Sequence, residues 1–202
     1  STKGLLDTIG SLTEHALTNA WISKKEAVFL FCTLLKIPYF YVLYKIHKHL
    51  TNPLAGPIVS GIGSVFKPLS KFADTFLRPM VQKTSTYIRD TKDVVCLLQE
   101  VEFNSETDLL INLDVERLYT SLPQRETLDI IEQVLFNDPW GHATPRAFVL
   151  ECIHLALTKN FFQFEDTFYL QTHGTSMGST FTPSIYVPYL ETSKIWIQRL
   201  LS

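Results

Sequence analysis

Residues 109–123 read LLINLDVERLYTSLP, an apolar run that ends on one carboxylate, Asp114, with Tyr119 five residues further on. An ionised Asp on a buried strand is costly unless something neutralises it. Two readings answer that. Asp114 caps the turn that follows the strand, or it faces a cleft at the strand's C-terminal edge and a divalent cation compensates its charge. The second is the chemistry of two-metal phosphoryl transfer, in which carboxylates hold ions roughly 3.5–4 Å apart between the attacking hydroxyl and the leaving phosphate. Tyr119 is open in the same way, as a core aromatic or a substrate contact. A second stretch is THGTSMGSTFTP (172–183), where Gly174 and Gly178 permit close backbone approach. A plain strand-to-helix turn needs only one of them. A third is YKIHK (44–48), whose Lys45, His47 and Lys48 suit phosphate neutralisation or form a simple solvated basic turn. His47 and His49 lack a third ligand for a metal site.

These residues need elements to position them. Apolar spacing predicts helices over 3–20 and 23–35, then a strand in the aromatic, β-branched IPYFYVLYKI. HKHLTNPLAGP reads as a turn and PIVSGI as a second extended segment, together a hairpin. Leu69, Phe72, Phe76, Leu77 and Met80 predict a helix from Pro68 to about Thr86, crossed by Pro79, and another helix covers 90–101. Leu109, Ile111, Leu113 and Val115 alternate, and Leu110 makes the other face partly apolar, as in a strand covered on both sides. After Pro123 an amphipathic helix follows, with Ser121 and Gln124 at capping-box spacing. Thr144-Pro145 opens another helix to about Lys159. FFQFEDTFYLQ is a hairpin turning at Glu165-Asp166, and the glycine loop leads into a helix from about Pro183 that Pro188 should kink.

The 202 residues are 46% hydrophobic, enough for a sizeable core. Cys32, Cys96 and Cys152 match no metal spacing and suit a reducing, intracellular setting, nucleus or cytoplasm, rather than secretion. Lys36 and Pro38 split AVFLFCTLLKIPYFYVLYKI into runs too short to cross a bilayer, so no membrane partner is expected. The net charge of −2 conceals an asymmetry: residues 21–92 carry eleven Lys or Arg against three acids, and residues 93–202 carry six against fifteen. This describes two ordinary surfaces, or a basic lobe for polyanions beside an acidic lobe for divalent metal. The opening STKGLLDTIG, with no signal layout and no initiator methionine, and the abrupt finish IQRLLS read as a fragment of a longer protein.

Read in order, YKIHK, PIVSG, PLSKFADTFLRPMV, TYIRDTKD, LDVERLYTSLP and YLQTHGTSMGSTFTPS resemble the reverse transcriptase domain of Penelope-like retroelements. The family forms look like LPKIHK, GRPIVSG, LDVxSLYTNIP and GTAMGxxxAPS, and the resemblance runs from about Val28 to Glu191. It implies an α+β fold: fingers (1–92, basic) and a partial palm (93–202, acidic) of a right-hand polymerase, with an incomplete palm sheet and no thumb. It implies an RNA-directed DNA polymerase, a nucleotidyltransferase of a retrotransposon, with Mg²⁺, an RNA template, a DNA primer and deoxynucleotides. By the resemblance, Asp114 is catalytic and binds metal, with the Val115 carbonyl as a further ligand. Tyr119 packs on the nucleotide sugar and excludes a 2′-hydroxyl, and Lys45, Lys48 and Gln171 contact nucleotide. Gly174, Ser176, Met177 and Gly178 lie under the nascent pair and the template.

The sequence also departs from the family. Gly56 replaces the arginine of GRPIVSG, a loss of about 1.5–3 kcal/mol or more of nucleotide binding. Tyr44 replaces the proline of LPKIHK, and Pro188 falls in a helix where the family has none. No Asp-Asp pair occurs, so the YxDD-type box with the remaining aspartates is missing. The chain alone is therefore expected not to polymerise. The alternative is a noncatalytic remnant that binds RNA or an RNA–DNA hybrid, or a relic without a selected role.

Overall fold

The computed structural model describes residues 2–31, 36–47, 50–85, 87–109, 118–176 and 178–201. The chain order is α1 (Thr2–Thr18), α2 (Lys24–Leu30), β1 (Tyr39–Tyr44), β2 (Ala55–Ser60), α3 (Phe66–Val81), α4 (Thr91–Gln99), α5 (Leu118–Ser121), α6 (Gln124–Asn137), α7 (Arg146–Thr158), β3 (Phe161–Phe164), β4 (Thr167–Leu170) and α8 (Thr182–Leu201). The architecture is α+β with one four-stranded mixed sheet of order β2-β1-β3-β4. The aromatic-rich β1, YFYVLY, pairs antiparallel with β2, Tyr39 facing Ser60 and Tyr44 facing Ala55. The chain returns a hundred residues later as β3, which runs parallel to β1 and antiparallel to β4. The β3–β4 hairpin turns at Glu165, whose φ of 52° is left-handed.

Helix α7 is apolar nearly all round and sits centrally, with Val149, Cys152 and Ile153 inaccessible. Helix α3 buries Leu69, Phe72, Ala73, Phe76, Leu77 and Met80 along one stripe against α7 and α8, the spacing that predicted it. Helix α6 buries Thr127, Ile131 and Leu135 against the same pair. One core therefore draws on both the basic and the acidic stretch of the chain, and each contributes two strands to the sheet. Among the described residues no helix is long and apolar enough to cross a membrane.

One local expectation is corrected. Ser121 does not cap α6: it ends the short helix α5, and the N-cap is Pro123, which has no side chain to donate or accept. The Gln124 side chain, which a capping box would turn back on its own helix, reaches across the fold instead.

Candidate functional site

Three segments far apart in sequence meet at one junction. The Thr175 N–H donates to the Tyr119 carbonyl at 2.7 Å and the Gly174 N–H donates to the Leu122 carbonyl at 2.9 Å, which fastens the glycine loop to the LYTSLP segment. The Gln124 amide donates to the carbonyls of Gln171 (3.2 Å) and Gly174 (3.0 Å) and closes the contact from the start of α6. Gly174 has a φ of +69°, and a Cβ there would lie 2.7 Å from the Thr120 Cα. Glycine is required for both reasons. On its other side the loop meets the end of β2. The Ser176 hydroxyl donates to the Val59 carbonyl at 3.1 Å, and the backbones of Gly61 and Gly178 touch: a Cβ on Gly61 would stand 2.7 Å from the Gly178 carbonyl oxygen. Thr175 and Thr182 bond through their hydroxyls at 2.8 Å and join the loop to α8.

The ring of Tyr119 is half-buried and packs edge-on against Tyr186 of α8, centroids 5.3 Å apart at 88°. Burial above all, with Tyr119 and Tyr189 adding to it, raises the Tyr186 hydroxyl above the usual tyrosine range, so Tyr186 supports Tyr119 as neutral packing. Such support makes the Tyr119 ring a firm wall.

The other expected site residues divide. Gln171 is committed to neighbours in the fold: its side-chain Oε1 accepts from the Asn160 amide at 2.8 Å and its amide donates to the His173 carbonyl at 3.0 Å. These two bonds hold the loop between β4 and α8 in shape. Ser176 is likewise committed, as the tie to Val59. Lys45 is exposed at the end of β1, and its Cε lies 3.7 Å from where a Gly56 Cβ would stand, so a lysine stem covers the position where the family pattern has arginine. His47 is exposed nearby. Asp114, Val115, Lys48 and Met177 lie outside the described residues. Among the described residues no cluster of three His, Cys, Asp or Glu could hold a metal ion. They do not by themselves make a magnesium site.

Sequence reasoning missed Asp74. It is buried at 4% exposure, accepts from the Ser184 hydroxyl and from Arg78 at 2.5 Å each, and so ties α3 to α8. Its signal was legible: an acid among Phe72, Ala73, Phe76 and Leu77 on an otherwise apolar stripe needs a buried partner.

In comparisons with known proteins, no family model matches the chain, and no curated protein or solved structure matches it.

Proposed function

We propose that these residues are the fingers-to-palm portion of an RNA-directed DNA polymerase of the retroelement reverse transcriptase type. In this reading they handle template, primer and incoming deoxynucleotide, and the two-metal chemistry needs carboxylates beyond Asp114. The observation that supports it is the convergence of PIVSG, LYTSLP and GTSMG. Val59 and Gly61, Tyr119 and Leu122, and Gly174, Ser176 and Gly178 meet by direct backbone and hydroxyl bonds. The reading takes these three motifs, dozens of residues apart in the chain, as one working unit because they bond to one another directly. The half-buried Tyr119, backed by Tyr186, is the residue we assign to reading the sugar. A noncatalytic hybrid-binding role is the second reading, and it draws on the eleven Lys and Arg of residues 21–92, which suit contact with phosphate.

The test joins the 202 residues to a YxDD-and-thumb segment of the family and assays primer extension. Extension with deoxynucleotides, abolished by Asp114→Asn and opened to ribonucleotides by Tyr119→Ala, is expected. Normal extension by Asp114→Asn would overturn the assignment. Hybrid binding without extension in every such fusion would leave the second reading in its place.

A further inference from the structure

A cleft of about 420 Å³ lies beside the motif junction, lined by Pro123, Gln124, Arg125, Leu128, His154, Thr158, Thr172 and His173. It belongs to the acid-rich half of the chain, yet none of its lining residues is acidic and three carry basic nitrogen. Arg125 comes from the start of α6, His154 from the last turns of α7, and His173 from the loop residue before Gly174. The bonds of Gln124 to the Gln171 and Gly174 carbonyls fix the distance between two of the three walls.

Arg125 is the telling residue. Four arginine side chains are described, and three are engaged: Arg78 on Asp74, Arg89 on Asp90 and Asp93, and Arg146 on the carbonyls of Leu135 and Asp138. Arg125 has no bonded partner among the described residues, although Asp129 follows one turn later on the same helix. The carboxylate next to it, Glu126, acts toward Tyr189, whose hydroxyl is raised by burial first and by Glu126 second. Glu151, one turn before His154, is exposed and outside the lining. The hydroxyls are already engaged, Thr158 with the His154 carbonyl and Thr172 with the His173 ring. What the cleft offers a ligand is therefore a forked guanidinium and imidazole nitrogen on the opposite walls. That set matches tetrahedral, multiply accepting oxygen anions.

We infer that the Arg125–His154–His173 cleft binds a phosphate group, supplied by a nucleic-acid backbone or by a small phosphate anion. The inference stands on the lining residues and not on the polymerase reading. If a nucleic acid is the source, the acid-rich half holds one strand beside the glycine loop, and the basic stretch around Lys45 is not its sole grip.

The test uses the whole chain, its His154 and His173 ring resonances assigned by His→Gln substitution, and two probes: inorganic phosphate alone and an RNA–DNA hybrid. Phosphate at millimolar concentration is expected to move both ring signals in the wild type and neither in Arg125→Ala, with affinity reduced about tenfold or more. Arg125→Lys is expected to recover part of it. Arg125 is exposed and has no bonded partner among the described residues, so Arg125→Ala should fold as the wild type does, checked by an unchanged urea midpoint. If the backbone is the source, hybrid affinity against salt loses about one unit of log–log slope in Arg125→Ala. If phosphate moves the rings while the hybrid slope is unchanged, the site stands and serves a small anion. If neither probe moves the rings and Arg125→Ala changes neither affinity, the inference is overturned, whatever the fusion polymerase does.

Discussion

Gly174 is held in the left-handed region while its Cα faces the backbone of Thr120, so any side chain meets two objections at once. A non-glycine residue in that conformation costs roughly 1–2 kcal/mol before contacts are considered. The overlap is with backbone, which cannot swing aside as a flexible side chain can. Gly174→Ala should therefore lose at least about 2 kcal/mol of stability, read as a lowered urea midpoint at unchanged slope. A midpoint equal to the wild type would mean that the loop does not sit on LYTSLP. Ser184 makes a second residue-scale case. Its hydroxyl donates to buried Asp74, and removing a hydrogen bond to a charged group costs about 1.5–3 kcal/mol. Ser184→Ala should show a loss of that size, while Ser179→Ala, at a less buried position of the same segment, should show little. Both residues teach the same point about legibility. The sequence marks Gly174 as a place of close approach and Asp74 as a buried acid, but not the partners, because Tyr119, Thr120 and Ser184 are brought there by packing between distant elements.

At the scale of elements, legibility follows the strength of the local signal. The stripe of α3, the apolar surface of α7 and the turn residues Glu165-Asp166 each carry their own pattern, and each element forms where that pattern lies. The start of α6 does not obey its pattern. Ser121 and Gln124 have capping-box spacing, but the carbonyls of Gln171 and Gly174 offer Gln124 two acceptors, and these tertiary bonds replace the local one. The Ser176–Val59 bond crosses 117 residues and no window of sequence contains it. Two helices also set a dependence on pH. On α7, burial, with Glu151 beside it, pushes the Cys152 thiol up to about 12, and on α8 burial raises Tyr186. Both groups are neutral when protonated. As pH rises past their ordinary values, about 8.5 for Cys and about 10 for Tyr, the unfolded chain releases its protons while the folded chain keeps them. Stability present at neutral pH therefore falls from about pH 9 upward. Urea midpoints between pH 7 and 11 should decline, and Cys152→Ala with Tyr186→Phe should flatten the decline. In the native protein a thiol reagent should label exposed Cys96 and spare Cys152 until denaturant is added, scored by mass spectrometry.

For the whole molecule, the sheet order places β4 outermost among the described strands, and its four residues are all exposed. Phe168, Tyr169 and Leu170 are 59%, 46% and 55% accessible, and β4 carries neither Pro nor Lys, the usual devices that blunt an open edge. The charges of Glu165 and Asp166 stand only at the turn. Tyr169 stacks on Phe162, which stacks on Phe40, so an aromatic row crosses the sheet on the face opposite core-packed Phe161 and ends open at the edge. Beside it an apolar groove of about 720 Å³ runs between β4 and α1, lined by Leu5, Leu155 and Phe161 among others. An edge that meets no further strand among the described residues and carries an apolar flank recruits other strands, so the chain should associate as its concentration rises, seen as a growing sedimentation coefficient. Tyr169→Lys puts a charge at the open end of the row without touching α7 or the motif junction. It should shift the association to higher concentration while leaving the urea midpoint nearly unchanged. A wild-type chain that sediments as a monomer throughout would show that β4 is covered, and the edge argument would then fail independently of everything proposed for the junction or the phosphate cleft.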